Sequence, residues 1–406
     1  MAKVRILVFL ATIVIVGSVL YVASLFARGY RFDFQTFKFT PNGLLILKSV
    51  PDGAQIYIDT VFKTATNATI PLSPGTYDIK VEKAGSFAWE KRITIEKEIV
   101  TEATAHLFKI APSLSAITFS GTINPTPSRD FSKIAYAVPQ QLGSTNGSSD
   151  ISGLWVVEML NLPLGFSREP RRVTDGDLTQ SSWEWSPDGR EILLTTARGT
   201  YLISSSTFTS QSQMTNVISG VGTIRKEWDA ELQKRREAQI AKLPSEVEDI
   251  LSRKSSEIVL SPDEDLVLYT ASGSATLADN LIKQLPGAST QKQERTITSG
   301  RTYVYDIKED RNFMIIEDSK DLIIEGGTDV KVGKRLSWFP TSRHLLLAEN
   351  DRVTIMDYDG TNRQTVYSGA YLAPHAYPTL SLDRIMILTN LGGISSLPNL
   401  YSVGIK

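Results

Sequence analysis

Residues 183–196 read "WEWSPDGREILLTT", which is the pattern of a β-strand, a tight turn and a second strand. Pro187 suits the i+1 position of a type I turn and Gly189 suits the i+3 position. Related stretches recur elsewhere, with the turn altered to different degrees. They are "NPTPSRDFSKIAYAV" (124–138), "EIVLSPDEDLVLYTA" (257–271), "LSWFPTSRHLLLAE" (336–349) and "YPTLSLDRIMILTN" (377–390). The repetition predicts a fold built from several similar hairpin units.

The spacing of the copies indicates the size of the unit. Aligned turns begin at Ser128, Ser186, Ser261, Phe339 and Ser381, which are 58, 75, 78 and 42 residues apart. Within the first interval, 140–150 is a predicted polar insertion. The two longest intervals contain further predicted insertions, at 222–256 and 272–300. Without those two, roughly 40–50 residues remain per unit, which is the period of a four-stranded propeller blade.

These units predict a mainly β fold, with a propeller of five or six blades over 112–406. A further strand follows each turn copy, and four units offer an outer strand, such as 168–174. The last unit has no room for one before Lys406. Because an open sheet edge invites aggregation, we expect 114–120 to complete the last blade by pairing near 399–405. The units resemble the WD-like repeats of TolB-type propellers, whose Trp-Ser-Pro-Asp-Gly form stands at 185–189.

The amino-terminal segment has the properties of a membrane anchor. Residues 6–26 form a run of 21 without a charge, which is long enough to cross about 30 Å of hydrocarbon as a helix. A cleaved signal peptide would have an apolar core of only about 7–15 residues and a small-residue cleavage site. We therefore predict an uncleaved anchor within 1–30, in contact with the lipid bilayer through 6–26. Its amino terminus is expected in the cytoplasm and the later domains outside the cell membrane.

Residues 43–108 are predicted to form a small antiparallel β domain. In "TYDIKVE" (76–82) apolar and charged residues alternate with the period of a half-buried strand, and "AQIYID" and "KRITIE" behave alike. The turn Pro51-Asp52-Gly53-Ala54, with "LSPGTYDIKV" (72–81) and "GSFAW" (85–89), resembles the PEGA domain family. Two departures are Thr60, where the family has glycine, and Phe87, which comes one residue late. The resemblance implies a surface or stalk module of the cell envelope.

The insertion at 222–256 is predicted to be helical. Apolar residues recur every three to four positions along its first part, and Pro244 ends that helix. Ser245 and Glu248 have the spacing of a capping box for a second helix. The apolar residues are Ile224, Trp228, Leu232, Ile240 and Leu243, then Val247, Ile250 and Leu251. A helical hairpin packed on the propeller and an arm that docks a partner are the two interpretations.

Composition and motifs give no support for catalysis. Net charge is −1, which creates no field for nucleic acid, and the chain has no cysteine. The three histidines (His106, His344 and His375) are scattered, and neither His-Glu-x-x-His nor Gly-x-Ser-x-Gly occurs. Asp357-x-Asp359-Gly360 and Asp175-Gly176-Asp177 are interpreted as turns rather than calcium loops. We therefore predict no enzyme, no catalytic residues, no cofactor and no metal site.

Tryptophans are the candidate binding residues. Trp183, Trp185 and Trp338 lie in first strands of their units, and Trp228 lies on the helical insertion. Flat indole rings stack on sugars, but packing inside the propeller is the competing role. The favoured hypothesis is an envelope protein that displays both domains outside the cell to bind a protein or a glycan. The alternatives are a glycan-active hydrolase built on the propeller and a purely structural surface-layer or stalk component.

Overall fold

A computed structural model describes residues 2–27, 29–33, 38–140, 151–159, 169–283, 289–324, 333–391 and 397–406. The predicted polar insertion at 140–150 therefore lies almost wholly outside the described residues. The chain forms two compact units. One comprises Met1–Leu107 with Lys283–Lys292, and the other comprises Phe108–Ile282 with Gln293–Lys406.

The first unit begins with helix α1 (Ala2–Ala27). Its segment Leu7–Ala27 is long and apolar enough to cross a membrane, and none of it is buried against the rest of the protein. This places the helix where the uncharged run predicts it. Two short strands follow, β1 (Arg31–Asp33) and β2 (Lys38–Thr40), which pair antiparallel.

Strands between Gly43 and His106 form two small sheets around one core. The strands are β3 (Gly43–Val50), β4 (Gln55–Ile58), β5 (Val61–Ala65), β6 (Ala68–Leu72), β7 (Gly75–Glu82), β8 (Trp89–Ile95) and β9 (Val100–His106). One sheet has the order β6-β3-β9 and the other β5-β4-β7-β8. The predicted alternation is confirmed, because Ile79 and Val81 are buried in the core with Ile56 and Ile93. Within an otherwise antiparallel arrangement, β3 and β9 run parallel.

The second unit is a β-propeller made of successive sheets, whose described strands pair antiparallel with one exception in the fourth sheet. The first sheet is β11 (Ile123–Pro127), β12 (Lys133–Val138), β13 (Gly153–Glu158) and β14 (Arg171–Asp175); the second is β15 (Ser182–Trp185), β16 (Glu191–Thr196) and β17 (Gly199–Ser204). The third sheet is β18 (Ser255–Leu260), β19 (Leu266–Ala271), β22 (Thr302–Asp306) and β23 (Arg311–Ile316), with β20 (Ala275–Thr276) and β21 (Thr296–Ile297) paired separately. The fourth is β24 (Leu322–Ile324), β25 (Lys334–Trp338), β26 (His344–Ala348), β27 (Arg352–Asp357) and β28 (Gln364–Ser368), in which β24 and β25 run parallel. The fifth is β29 (Ala376–Pro378), β30 (Arg384–Thr389), β31 (Asn399–Gly404) and β10 (Ser113–Ala116).

The predicted closure of the last sheet is confirmed. Strand β10 pairs antiparallel with β31, with Leu114 opposite Val403 and Ala116 opposite Tyr401. Strand β10, which precedes the first propeller sheet in the chain, thus belongs to the fifth sheet. Hydrophobic side chains of the first and fifth sheets share one core, which includes Tyr136 and Tyr377. Two of the four junctions between consecutive sheets along the chain also contain an apolar core, the one between the first and second sheets and the one between the third and fourth.

The predicted alignment of the fifth turn is wrong by two residues. In the second sheet Trp185 pairs with Ile192, and Ser186 follows it as the first turn residue. In the fifth sheet Pro378 pairs with Ile385, so the equivalent first turn residue is Thr379 rather than Ser381. Strand pairing fixes this register. Ser381 does donate a hydrogen bond to Asp383, as the serines of the other turns do to their aspartates, but it lies two residues after the start of the turn.

Helices α2 (Val221–Ile240) and α3 (Ser245–Lys254) form the predicted insertion. Val247 and Leu251 are buried against the third sheet, so α3 packs on the propeller itself. The predicted capping box does not form, because Pro244 takes the N-cap position and no side chain caps the helix. Among the described residues the second sheet has only three strands. Where an outer strand was expected, Asn216 makes a single bridge to Tyr201.

Candidate recognition cleft

A cleft of about 170 Å³ lies between α2 and the turn that joins β15 to β16. Trp185 of β15 and Trp228 of α2, two of the tryptophans singled out in the sequence, both line it. Pro127, Pro187 and Leu232 contribute further apolar surface. The structure thus brings together two aromatic side chains that are 43 residues apart in the chain. We name this feature the α2 cleft.

Side-chain hydrogen bonds make the turn at the cleft rigid. The hydroxyl of Ser186 donates to Asp188 Oδ1 at 2.7 Å and accepts from the backbone N–H of Glu191 at 2.9 Å. The Ser186 hydrogen bond is the main reason why the pKa of Asp188 lies below its usual value. Gly189 completes the turn with a φ of 67°, a conformation that favours glycine. This framework holds Pro187 in place at the cleft.

The same hydrogen bonds explain why the turn recurs along the sequence. Ser128 donates to Asp130 at 2.7 Å in the first sheet, and Ser261 donates to Asp263 at 2.6 Å in the third. In each case the serine hydroxyl also accepts the backbone N–H five residues later. A serine followed two residues later by an aspartate therefore closes the hairpin in three of the sheets without help from distant residues.

Trp185 is fixed in place by a bond between sheets. Its Nε1 donates to the carbonyl of Thr126 in β11 at 2.9 Å. Trp338 holds the equivalent position in the fourth sheet, and its Nε1 donates to the carbonyl of Val259 in β18 at 3.2 Å. Trp185 ends β15 and Trp338 ends β25, in each case just before a hairpin turn, so each indole ties its sheet to the preceding one. The orientation of the Trp185 ring is therefore set before any ligand binds.

The four predicted binding tryptophans fall into two groups. Trp183 and Trp338 are only 4% and 3% exposed and pack in hydrophobic cores between sheets, so neither offers a ring face to solvent. Trp185 and Trp228 are half-buried and line the α2 cleft. Trp183 lies two residues before Trp185 on β15 and therefore on the same face, but deeper between the sheets. Because Trp185 and Trp338 hold equivalent strand positions, burial rather than residue type or strand position separates the two groups.

Charged side chains of both signs surround the α2 cleft. Arg225 of α2 donates from Nη2 to Glu184 Oε1 at 2.5 Å and from Nε to Glu184 Oε2 at 3.3 Å. Arg129 and Asp229 also line the cleft. The Arg225–Glu184 pair is about half exposed, so it contributes at most about 1 kcal/mol to stability. Both groups can exchange this contact for one with a ligand at small cost.

Polar contacts also attach α2 to two hairpin turns of the propeller. Arg235 Nη1 donates to the carbonyl of Pro187 at 3.3 Å, beside the α2 cleft. Gln239 Nε2 donates to Glu264 Oε1 at 3.1 Å, in the turn between β18 and β19. The helix therefore lies over the hairpin turns of the second and third sheets. Sequence periodicity predicts the helix but not this placement, which depends on contacts between distant segments.

Buried carboxylates occur away from the cleft, in structural positions. Burial raises the pKa of Asp306 to about 6, and this carboxylate accepts the backbone N–H groups of Lys308 and Glu309 at 2.9 Å each. These bonds close the turn from β22 to β23. Within the ranges described above, no group of three or more histidine, aspartate or glutamate side chains could hold a metal ion.

The two acidic motifs noted in the sequence are turns. The N–H of Gly360 donates to the carbonyl of Asp357 at 2.9 Å, and Gly360 has a φ of 78°. Asp359 Oδ1 accepts the N–H of Thr361, between β27 and β28. Asp177 likewise accepts the backbone N–H of Thr179 at 3.0 Å. Each aspartate thus satisfies backbone donors of its own loop.

Comparisons with known proteins fit both resemblances seen in the sequence. Residues 42–110 match the PEGA domain family. Among solved structures, the chain is similar to a putative TolB from Agrobacterium tumefaciens, at 12% identity over 70% of this chain and 78% of that one, with a TM-score of 0.22. TolB from Acinetobacter baumannii is 11% identical, with 81% and 60% covered and a TM-score of 0.22.

A third similar structure is an oligogalacturonate lyase in complex with manganese, at 12% identity over 73% of this chain and 72% of that one, with a TM-score of 0.22. No curated protein matches the chain. TM-scores of this size carry no argument about function. The successive sheets, the core shared by the first and fifth sheets and the β10–β31 pairing are features of a propeller, and the number of its blades stays a prediction.

Proposed function

We propose that this protein is a membrane-anchored cell-envelope protein that displays two domains outside the cell and binds a protein partner at the α2 cleft. In this proposal 1–30 contain the cytoplasmic stub and anchor. Residues 43–108 are the PEGA module, and 112–406 are the propeller with its helical insertion at 222–256. The exposed apolar helix α1 supports the anchoring, and the PEGA match supports an envelope role.

The observation that carries the binding role is the composition of the α2 cleft. Trp185, Trp228, Arg129 and Arg225 meet there, and tryptophan and arginine are enriched among the residues that dominate binding energy in protein interfaces. Small-molecule pockets have volumes of about 300–1,000 Å³, well above the volume of this cleft. The cleft is thus better matched to one anchoring side chain of a larger partner surface.

A glycan is the second candidate ligand. Trp185 and Trp228 could stack on the apolar face of a sugar ring, while Glu184 and Asp229 accept hydrogen bonds from its hydroxyl groups. Hydrolysis is less well supported, because paired catalytic carboxylates need a shared site and Glu184 is already paired with Arg225.

Photo-cross-linking in intact cells tests the binding site. We expect benzoylphenylalanine at position 229, on the wall of the cleft, to form a discrete protein adduct. The matched probe replaces Phe208, which is 54% exposed and does not line the cleft. Trp185→Ala should abolish the adduct from position 229, whereas Phe208→Ala should leave it unchanged. An identical adduct from both probe positions would contradict the proposal, and adducts with labelled glycan alone would favour the second candidate.

The topology has its own test. Protease added to intact cells, with the outer membrane opened where one is present, should remove an epitope placed after Lys406. The same epitope should survive when it is placed before the uncharged run. Complete protection of the carboxyl-terminal epitope would exclude display outside the cell membrane. Self-assembly of the purified protein into ordered arrays without any ligand would instead favour the structural alternative.

A further inference from the structure

The end of α1 has a fixed geometry rather than a free linker. The N–H of Gly29 donates to the carbonyl of Phe26, and the N–H of Tyr30 donates to the carbonyl of Leu25, both at 3.0 Å. Gly29 has a φ of 88°. These two bonds around a left-handed glycine form a Schellman motif, which sets the direction in which the chain leaves the helix.

Further bonds connect this helix end to the sheets of the same unit. The hydroxyl of Tyr30 donates to Glu98 Oε1 at 2.7 Å, and Glu98 lies in the turn between β8 and β9. The N–H of Glu98 in turn donates to the carbonyl of Asn42, just before β3, at 3.1 Å. The helix end, the turn at 96–99 and the start of β3 are thus held together.

Three phenylalanines meet at this joint. The ring centroid of Phe39 lies 5.9 Å from that of Phe26, in the last turn of α1, and 5.2 Å from that of Phe32. Phe32 and Phe39 are directly opposite each other in the β1–β2 pair. Phe26 is 47% exposed, and the rings of Phe32 and Phe39 are partly exposed. An apolar surface therefore continues from α1 onto the β1–β2 pair.

We propose that Phe26, Phe32 and Phe39 form a second membrane contact, which lies at the boundary between lipid headgroups and acyl chains. The lipid surface is the expected occupant because the cluster is continuous with the end of a helix that is long enough to span the bilayer. Aromatic and large apolar side chains gain free energy in this interfacial layer. Together with the fixed helix end, the contact holds the PEGA sheets at a set height above the lipid. The inference rests on the proposed membrane anchoring.

Spin-label depth measurements on the full-length protein test this contact. The chain has no cysteine, so each single-cysteine variant carries one label. Phe32→Cys and Phe39→Cys probe the cluster, and Val16→Cys probes the middle of α1. Ala84→Cys is the control, in the exposed turn after β7. Because Gly75 pairs with Ile95 near the joint and β7 runs away to Glu82, Ala84 lies roughly 20–25 Å from the joint.

In vesicles of phosphatidylethanolamine and phosphatidylglycerol, accessibility to oxygen is compared with accessibility to a water-soluble nickel complex. We expect the oxygen-to-nickel ratio to be highest at position 16, intermediate at 32 and 39, and several-fold lower at 84. If the ratio at 32 or 39 is as low as the ratio at 84 while the ratio at 16 is high, the second membrane contact is overturned and the membrane anchoring is not. A water-exposed position 16 would overturn the anchoring itself. The paired positions 32 and 39 keep the test valid if one variant does not fold.

Discussion

His375 donates its Nδ1 proton to the hydroxyl oxygen of Tyr377, which lies 2.6 Å away. The direction follows from the next bond, in which the Tyr377 hydroxyl lies 2.9 Å from the carbonyl of Pro125. A carbonyl can only accept, so the single hydroxyl proton is used there and Nδ1 must be the donor. Tyr377 is on β29 and Pro125 is on β11. The chain of hydrogen bonds therefore joins the last sheet of the propeller to the first.

Tyr377→Phe should destabilise the propeller by about 1–3 kcal/mol, because it leaves the His375 N–H and the Pro125 carbonyl buried without the hydroxyl. Urea unfolding of the full-length protein in detergent measures the difference. Tyr401→Phe is the matched control on a half-buried tyrosine of β31, and we expect it to change stability by less than about 0.5 kcal/mol. Equal effects of the two substitutions would show that the junction does not depend on this hydroxyl.

Stability should also fall with acid through His375. Burial, reinforced by the positive charge of Arg335, lowers the pKa of His375 to about 4. Between about pH 6.5 and pH 4 the unfolded chain binds a proton that the folded chain does not, so the free energy of unfolding decreases as the pH falls through this window. The loss amounts to about 3 kcal/mol at most. His375→Asn should flatten the pH profile between 6.5 and 4, and an unchanged slope would contradict this assignment.

Truncation of equivalent tryptophans should separate packing from binding. Trp338→Ala removes a fully buried side chain, and we expect a loss of about 3–5 kcal/mol in the free energy of unfolding. Trp185→Ala affects a half-buried ring and should cost less, about 1–2 kcal/mol. Only Trp185→Ala should also remove the cross-linked adduct expected at the α2 cleft. The reverse order of stabilities would mean that Trp185 is the packing residue.

Local features of the fold could be predicted because they depend on neighbouring residues. The Ser186–Asp188 turn, the alternation at Ile79 and Val81 and the uncharged run of α1 each carry their structural cause within a few positions. The last closing strand was predictable by a different route, since an unpaired edge after β31 needed a partner. The fifth turn was misplaced because Ser381 imitates the local signal, while register is set by pairing between β29 and β30.

The α2 cleft could not be predicted in the same way. Trp228 belongs to an apolar stripe that predicts only a packed helix, and nothing local to it indicates Trp185 as its neighbour. Their proximity depends on where α2 lies across the propeller, which is set by contacts such as Arg235 with Pro187. The same limit applies to the division between Trp183 and Trp185, which differ in burial rather than in sequence environment.

The departure from the PEGA pattern at Thr60 gives a stability prediction. Asp59 and Thr60 form the two-residue loop between β4 and β5, with φ values of 47° and 70°. Positive φ at both positions is typical of a type I′ turn, which favours glycine second and disfavours a β-branched residue. Thr60→Gly should therefore raise the free energy of unfolding by about 1 kcal/mol. Thr60→Ala, which keeps a Cβ, should gain much less, and an equal gain would show that backbone strain is not the cause.

A disulfide across the last sheet should test its closure directly. The N–H of Ile117 donates to the carbonyl of Leu400, so the adjacent pair Ala116–Tyr401 is expected to be a non-hydrogen-bonded pair with close Cβ atoms. With no native cysteine present, Ala116→Cys combined with Tyr401→Cys should oxidise to a single internal bridge, seen as faster migration on a non-reducing gel. Because the bridge closes a very long loop, it should stabilise the protein by about 2–5 kcal/mol over its reduced form. Failure to oxidise, with each single variant folded, would show that β10 does not complete the sheet of β31.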